Sequence, residues 1–204
     1  MPSRDEALAA IRTLISYIGD DPSRAGLLDT PARVLRAWTT SWGSGYVDRL
    51  FEERPDEAAS LIRVFDLSGA SDASELTAAY SQMVVVSGVM VYSHCEHHMT
   101  PFFGTATLAY LPERGRVIGL SKLARVVDLF ARRLQVQERL TEQVADFLEQ
   151  HLSSAVGVSL ECAHMCMMSR GVQQPNARTR TTALRGEFLE DAAVKMEFLA
   201  ACGR

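Results

Sequence analysis

The sequence predicts an α+β fold in which helices pack on an antiparallel sheet. Its strand-like segments follow one another as neighbours and its helix-like segments come in pairs, whereas a parallel sheet would alternate the two. The chain has 204 residues, of which 47% are hydrophobic and 23% are charged. This balance is typical of a chain that folds around its own core, and it argues against intrinsic disorder.

Two helices are predicted near the N-terminus. Ser3 and Glu6 form a capping box that starts the first helix, and Gly19 ends its apolar periodicity. The second helix is expected to start at Thr30, which we take as the N-cap because a proline follows it. That helix is expected to reach about Trp42.

The rest of the chain divides into predicted strands and helices. Valine-rich or alternating segments indicate strands, and apolar residues at helical spacing indicate helices. The predicted strands are 61–67, 83–92, 102–111, 156–162 and 179–184. The predicted helices are 121–134, 136–152 and 191–202, with 46–60 helical or irregular and 68–74 a loop. We therefore expect an N-terminal helical arm over 1–60 and one continuous main domain over 61–204.

Composition and charge exclude several kinds of protein. No apolar run approaches the roughly 20 residues of a membrane helix, and the polar N-terminus is unlike a signal peptide. We therefore expect a cytoplasmic protein with reduced cysteines and no membrane partner. The net charge of −4 argues against broad nucleic-acid binding. Residues 88–186 nevertheless hold 11 basic and 8 acidic side chains, which favours a local anion site unless the excess is chance.

Cysteine and histidine residues cluster at two places in this basic region. Cys95 and His98 lie three residues apart, a spacing that lets one turn offer two ligands to a single ion, and Cys166 offers a third. Two thiolates and one imidazole select zinc, and three protein ligands with one open position are typical of catalytic zinc. A closed structural zinc with His97 or His164 as the fourth ligand, or no metal at all, remain alternatives.

The two other histidines in these clusters suit acid–base chemistry. His97 lies beside the first pair of ligands, and His164 would share the face of a strand with Cys166 because it precedes it by two residues. Imidazoles that do not bind the metal can move protons near neutral pH. A zinc deaminase is disfavoured because the sequence has no Pro-Cys-x-x-Cys pair.

Basic residues suited to a phosphate follow both clusters. Lys122 and Arg125 lie at i and i+3 near the start of a predicted helix, where free backbone amides also favour an anion. Arg170 follows the second cluster, and three more arginines stand at 178, 180 and 185 with no acidic residue between Glu161 and Glu187. The alternative interpretation is a solvated basic face.

An amide and a carboxylate stand side by side at a predicted helix start. Gln137 and Glu138 could read the N–H edge of a guanine base. Residues of these types at a helix start are more often caps, so this pair alone is a weak signal.

Five segments together closely resemble the GTP cyclohydrolase I family. They are residues 26–34, 91–102, 119–125, 133–141, and 164–167 with 169–171. They occur in the order in which the family has them. The resemblance implies the tunnelling fold, which consists of antiparallel hairpins with two helices on one face.

The resemblance also implies a reaction and an assembly. The family is a group of hydrolases acting on cyclic amidines, which open the guanine ring of GTP at C8 and release formate. The ribose then rearranges and the ring closes to 7,8-dihydroneopterin triphosphate, the first step of tetrahydrofolate and pterin biosynthesis within one-carbon metabolism. A homodecamer of two stacked pentamers is implied, with one zinc ion per subunit, sites between subunits and allosteric regulation left open.

Site roles follow from the motifs of this family. Cys95, His98 and Cys166 would hold zinc, and His97 and His164 would be the acid–base pair. Ser121 would contact the ribose or assist its rearrangement, and Gln137 would also act in catalysis. Gln137 and Glu138 would read guanine. The other expected substrate contacts are Lys122, Arg125 and Arg170 at the triphosphate, Leu120 and Val136, and Arg33 and Arg36 from a neighbouring subunit.

Four residues depart from the family's usual pattern. His94 is unusual before the first zinc cysteine and could perturb the metal or act as a spare ligand. Leu134 stands where proline is frequent, Ala177 where serine is frequent, and Arg180 where a smaller uncharged residue is usual. Two rival functions remain: a paralogue that acts on another purine nucleotide or serves a deazapurine pathway, and a non-enzymatic zinc-containing binding protein.

Overall fold

Seven helices and seven strands are seen in a computed structural model that describes residues 2–41, 44, 64–66, 82–113 and 116–203. The helices are α1 (Arg4–Tyr17), α2 (Thr30–Thr40), α3 (Leu120–Ala131), α4 (Gln137–His151), α5 (Met165–Met168), α6 (Glu187–Glu190) and α7 (Ala192–Ala201). The strands are β1 (Val64–Asp66), β2 (Val84–Cys95), β3 (Pro101–Tyr110), β4 (Arg116–Ile118), β5 (Leu134–Gln135), β6 (Val156–His164) and β7 (Thr179–Arg185). None of the helices in these ranges is long and apolar enough to cross a membrane.

The main sheet has the strand order β5-β2-β3-β6-β7. β2 pairs with β3, β3 with β6 and β6 with β7, all antiparallel, while the short β5 lies parallel to the end of β2. β1 and β4 form a separate antiparallel pair. The predicted antiparallel sheet is therefore confirmed. β4 and β5 were not predicted because strands of two or three residues carry no readable periodicity.

The core lies between this sheet and two helices on one of its faces. α3 contacts β2, α4 contacts β6 and β7, and the two helices contact each other. The apolar stripes predicted for both helices are buried, namely Leu123, Val126, Val127 and Phe130 in α3 and Leu140, Val144, Phe147 and Leu148 in α4. Along β2, Val91 and Cys95 face this core while the alternate residue Tyr92 is exposed. The arrangement confirms the predicted α+β tunnelling fold.

The N-terminal helices follow their sequence signals with one correction. The capping box is present, since the Ser3 amide donates to the Glu6 carboxylate at 2.7 Å and the Glu6 amide donates to the Ser3 hydroxyl at 3.2 Å. The prediction that Thr30 is an N-cap is wrong, because Asp29 occupies that position and Thr30 already lies in the helix. The predicted end at Trp42 lies outside the described residues.

Several expectations concern segments that the structure describes only in part. The strand predicted over 61–67 is seen as β1, and the rest of that range is outside the described residues. The predicted character of 46–60, the loop at 68–74 and the domain boundary at residue 60 also lie outside them. The division into an arm and a main domain therefore stays a prediction.

α3 ends three residues earlier than predicted, and this brings α4 close to the first Cys/His cluster. Leu134 leaves the helix and pairs in β5 with His94. The Gln135 side-chain amide donates to the Phe130 carbonyl at 2.9 Å, and the Gln135 carbonyl accepts from the Glu96 amide at 3.0 Å. These bonds replace helical ones, because an extended residue here can pair with β2.

We expect Gly104→Ala to destabilise the fold strongly. A Cβ atom at this position of β3 would lie 1.9 Å from the Glu161 carbonyl oxygen and 2.7 Å from the Cys162 Cα, both in the backbone of β6. Overpacking of this kind should lower the free energy of unfolding by about 3 kcal/mol, measured by urea denaturation at fixed protein concentration. Thr105→Ala, at the exposed neighbour, should change it by less than about 0.5 kcal/mol. Equal effects would contradict the prediction.

Candidate metal and nucleotide site

Two cysteines and one histidine from different elements converge on one point. Cys95 ends β2, His98 lies in the turn that follows, and Cys166 lies in α5. Their ligand atoms all lie within 4.8 Å of one another, with Cys95 Sγ 3.8 Å from His98 Nδ1. Sulfur and nitrogen ligands of a tetrahedral zinc lie roughly 3.6 Å apart, given the usual bond lengths. The group therefore fits zinc with little rearrangement.

A tight turn presents the first two of these ligands. The Cys95 carbonyl accepts from the amides of His98 at 3.3 Å and Met99 at 2.8 Å, and the Cys95 amide donates to the Thr100 carbonyl at 2.9 Å. Met99 has a φ of 53°, a left-handed conformation that side chains seldom adopt. The turn predicted from the three-residue spacing is thus present, and its backbone bonds hold both side chains on one side.

The third ligand reaches the group by a different route from the one predicted. β6 ends at His164, and Cys166 lies in the following single-turn helix. The prediction that both would share a strand face is therefore wrong, since the chain turns between them. Burial raises the pKa of the Cys166 thiol, and the neighbouring Cys95 raises it further. A divalent cation reverses this effect because it stabilises both thiolates.

The other cysteine in the second cluster is unsuited to binding a metal. Cys162 is fully buried in the sheet, and burial raises the pKa of its thiol to about 12. It is therefore a thiol of the core. Cys202, which lies outside both clusters, packs against a smaller apolar cluster around Phe188 and Phe198.

His94 does not belong to the ligand group found among the described residues. It precedes Cys95 on β2, and consecutive strand residues point to opposite faces of a sheet. Partial burial lowers the pKa of its imidazole. The geometry therefore gives no support to the spare-ligand role considered for this residue.

His164 packs against the sheet and against the start of α4. Its ring stacks on Phe102 with centroids 4.7 Å apart and an interplanar angle of 9°. Its Nε2 lies 2.8 Å from Gln137 Oε1. Burial lowers the pKa of His164, and the nearby Glu138 carboxylate opposes that shift. The structure thus brings together one predicted acid–base residue and both predicted guanine-reading residues.

His97 lies beside the ligand group without joining it. Its ring is perpendicular to that of His98, with centroids 6.3 Å apart, and its side chain is exposed. The imidazole is therefore accessible to a molecule that approaches the metal ligands from solvent.

Gln137 occupies a position that the sequence did not suggest. Its side chain is 1% exposed, and its amide nitrogen lies 3.2 Å from the Leu160 carbonyl, 3.0 Å from the Thr179 carbonyl and 3.1 Å from the Thr181 hydroxyl. These acceptors occupy its donors, so its NH2 group is not available to a base. Thr181 belongs to the site for this reason, and no sequence signal indicated it.

An ion pair ties the metal-ligating turn to α4. The two terminal nitrogens of the Arg139 guanidinium each donate a hydrogen bond to an oxygen of the Glu96 carboxylate, at 2.6 and 3.1 Å. Sequence reasoning assigned neither residue a role. Their opposite charges within two of the five family segments were the available signal. Cys95 precedes Glu96 and Glu138 precedes Arg139 in the chain. The ion pair therefore fixes the positions of Cys95 and Glu138 relative to each other.

Some of the basic residues predicted to bind phosphate form ion pairs with acidic residues, and others do not. Lys122 and Arg125 lie in the first turns of α3, and Arg170 follows α5. None of the three forms an ion pair with another residue in the described ranges. These side chains therefore remain available to an anion.

Two of the three arginines predicted to extend the positive stretch farther along the chain are neutralised. Arg180 pairs with Glu161 across β6 and β7, and Arg185 pairs with Glu142 and Asp146 of α4. Strand pairing supplies the acidic partner of Arg180, and the packing of α4 on the sheet supplies those of Arg185. The expectation that these two arginines extend the anion site is therefore wrong.

The remaining predicted residues lie at helix starts. Ser121 and Leu120 are exposed in the first turn of α3, and Val136 is the N-cap of α4. Arg33 and Arg36 are exposed on α2, where Arg33 pairs with Asp29 at 3.0 Å. Among the described residues, no contact brings α2 to Cys95, His98 or Cys166.

Comparisons with known proteins cover nearly the whole chain. The family model described as GTP cyclohydrolase I matches residues 7–203. GTP cyclohydrolase 1 of Janthinobacterium sp. (strain Marseille) is 47% identical over 189 residues, which is 92% of this chain and 86% of that protein. The Nitrosospira multiformis protein of the same name is 48% identical over 188 residues, covering 92% of this chain and 89% of its own.

A third relative and a solved structure complete these findings. GTP cyclohydrolase 1 of Allorhizobium ampelinum is 47% identical over 199 residues, covering 97% of this chain and 90% of its own. The apo crystal structure of the archaeosine synthase QueF-Like shares 16% identity at a TM-score of 0.40, over 51% of this chain and 93% of that one.

Proposed function

We propose a residue-by-residue mechanism for this chain, which belongs to the GTP cyclohydrolase I family and is a GTP cyclohydrolase I. The reaction is hydrolytic opening of the guanine imidazole ring of GTP at C8, release of formate, and rearrangement to 7,8-dihydroneopterin triphosphate. The observation that carries the mechanism is the convergence of Cys95, His98 and Cys166, with His164 two residues from the last of them.

The two cysteines and His98 hold one zinc ion per subunit. The spacing of their ligand atoms supports this assignment, as does the raised pKa of Cys166, which zinc binding would reverse. When bound, zinc supplies Lewis acidity and lowers the pKa of water to about 7. Three protein ligands are the number typical of a catalytic zinc, whereas a structural zinc usually has four.

His97 and His164 move the protons of ring opening. Protonation of the ring nitrogen by an imidazole makes C8 electrophilic and helps the C–N bond to break. The exposure of His97 and the contact of His164 with α4 support these roles, and each imidazole lies within two residues of a proposed metal ligand along the chain. Neither is needed as a metal ligand.

The nucleotide is held at its two ends. Glu138 accepts from the ring N–H and amino group of guanine, while Lys122, Arg125 and Arg170 hold the triphosphate. Glu138, Arg125 and Arg170 are exposed and Lys122 is partly exposed, which supports this assignment. The three basic residues also form no ion pair with any described residue. Ser121 contacts the ribose, and the backbone at Leu120 and Val136 adds further contacts. Remote binding energy then places C8 at the metal ligands.

A complete site requires a second subunit. Arg33 and Arg36 join the triphosphate from a neighbouring chain, and the working unit is a decamer of two stacked pentamers. Large apolar side chains on the sheet are exposed in the single chain: Met90 is 51% exposed, Tyr92 58% and Phe103 38%. Exposed apolar side chains of this kind are typical of a surface that another subunit covers, which supports the assembly. The enzyme acts in the cytoplasm, where the thiols of Cys95 and Cys166 stay reduced. Its product enters tetrahydrofolate or other pterin synthesis.

Zinc-loaded protein incubated with GTP should release formate and 7,8-dihydroneopterin triphosphate in equal amounts. Removal of zinc with a chelator should abolish both products, and added zinc should restore them. Turnover of another purine nucleotide but not GTP would favour the paralogue. Zinc binding without turnover of any nucleotide would favour a binding protein.

Glu138→Gln should weaken the preference for guanine. The new glutamine amide has an NH2 donor, whereas the guanine edge it faces also consists of donors. We therefore expect kcat/KM for GTP to fall roughly 10- to 100-fold, as for the loss of a charged hydrogen bond. Competition by ATP should not weaken. Glu149→Gln, at the other end of α4, is the matched control and should leave kcat/KM unchanged. Unchanged discrimination between GTP and ATP in Glu138→Gln would contradict the guanine role.

A further inference from the structure

The orientation of the Gln137 amide is decided by its surroundings. One end of the amide lies 3.2 Å from the Leu160 carbonyl oxygen and 3.0 Å from the Thr179 carbonyl oxygen. Carbonyl oxygens only accept hydrogen bonds, so this end must be the NH2 group. The flipped amide would place three oxygens together in a buried site and leave them unsatisfied.

Two threonine hydroxyls confirm this assignment of donors and acceptors. Thr141 donates to the backbone carbonyl of Gln137 at 2.8 Å, which uses its single proton. In the 2.6 Å contact between the two hydroxyls, Thr181 must therefore be the donor. Thr181 then accepts from the Gln137 amide at 3.1 Å. The two amide protons of Gln137 are thus shared among three acceptors, on Leu160, Thr179 and Thr181.

The remaining atom of the amide determines the state of His164. Gln137 Oε1 lies 2.8 Å from His164 Nε2, and an amide oxygen only accepts. The Nε2 atom must therefore carry a proton. We propose that Gln137 is a positioning residue that holds neutral His164 in its Nε2–H tautomer, which leaves Nδ1 as the nitrogen that exchanges protons with the substrate.

Two further contacts support this arrangement. The stacked Phe102 ring fixes the plane of the imidazole, and a 180° turn within that plane would replace Nε2 by a ring carbon opposite Gln137 Oε1. Nδ1 makes no hydrogen bond with any residue in the described ranges, so it is left for a substrate. The inference rests on the proposed acid–base role of His164, because a tautomer matters only if the ring moves protons.

The tautomer can be measured directly. Zinc-loaded protein labelled with 15N in the histidine rings should be studied by solid-state NMR at about pH 8, where imidazole rings are neutral. The His164 signals are assigned by their loss in His164→Ala. We expect a protonated Nε2 and an unprotonated Nδ1 in the unsubstituted protein. A protonated Nδ1 there would overturn the inference without the need for any variant.

A variant then tests whether the position matters. Gln137→Leu removes the acceptor, so the Nδ1–H tautomer should appear in the spectrum and kcat should fall about 10-fold or more. The KM for GTP should stay within about twofold. Gln143→Leu, on the same helix and bonded to Gln135 instead, should change neither the tautomer nor kcat. Unchanged kcat alongside an altered tautomer in Gln137→Leu would overturn the positioning role.

The same set of proteins separates this inference from the proposed function. If His164→Ala retains full turnover while the tautomer is as expected, the acid–base role fails and the hydrogen-bonding assignment stands. If His164→Ala is inactive but Nδ1 carries the proton in the unsubstituted protein, the acid–base role stands and the positioning by Gln137 fails.

Discussion

Replacing Cys166 with serine should remove both the zinc ion and the turnover of GTP. The variant keeps only Cys95 and His98 as ligands, and a serine hydroxyl does not ionise near neutral pH as a metal-bound thiol does. We expect zinc content after dialysis to fall from about one ion per subunit to near zero. The value of kcat/KM for GTP, measured by formate release, should fall by about 1000-fold or more.

Cys202→Ser is the matched control for this experiment. Cys202 follows α7 and packs against the apolar cluster around Phe188 and Phe198, so its loss removes a thiol without touching the ligand group. That variant should keep its zinc and its activity. Full zinc occupancy in Cys166→Ser would show that another residue is the third ligand.

His164→Ala should keep its zinc and lose turnover. The imidazole does not belong to the ligand group, and its contacts run to Gln137 and Phe102. General acid–base groups contribute about 100- to 10,000-fold to rates, so kcat should fall within that range. Zinc content by metal analysis and kcat by formate release separate the two effects.

His151→Ala serves as the control for the loss of a packed imidazole. His151 is the last residue of α4, and the centroid of its ring lies 4.5 Å from that of Phe147. Its removal therefore eliminates a ring contact similar to that between His164 and Phe102, at a different place in the fold. It should alter stability but leave kcat unchanged. Loss of zinc from His164→Ala would instead show that His164 is a ligand, and unchanged kcat would remove its acid–base role.

Local patterns predicted the elements that build the site. The capping box of Ser3 and Glu6 and the buried stripes of α3 and α4 are present as expected, because each is a relation between residues a few positions apart. The spacing of Cys95 and His98 likewise predicted a turn that presents both ligands. The ends of the helices were less predictable. Leu134 could either extend α3 or pair with β2, and in the structure it pairs with His94 of β2.

The electrostatics of the site were less predictable than its elements. Arg180 and Arg185 look like part of a basic stretch, yet both are paired with acidic residues more than 15 positions away along the chain. The carboxylates become neighbours only through the pairing of β6 with β7 and the packing of α4 on that sheet. A count of charges along the chain cannot show which cations are already neutralised.

Residue type, short spacing and motif order were enough to predict the α+β class, the family and the grouping of Cys95, His98 and Cys166. The contacts of Gln137 depend instead on the tertiary structure. Its partners Leu160, Thr179 and Thr181 come from two adjacent strands, and their approach to α4 depends on strand register and helix packing. Hydrogen-bond partners are chosen by position in space, so no local pattern could show that this amide faces His164 rather than a guanine base.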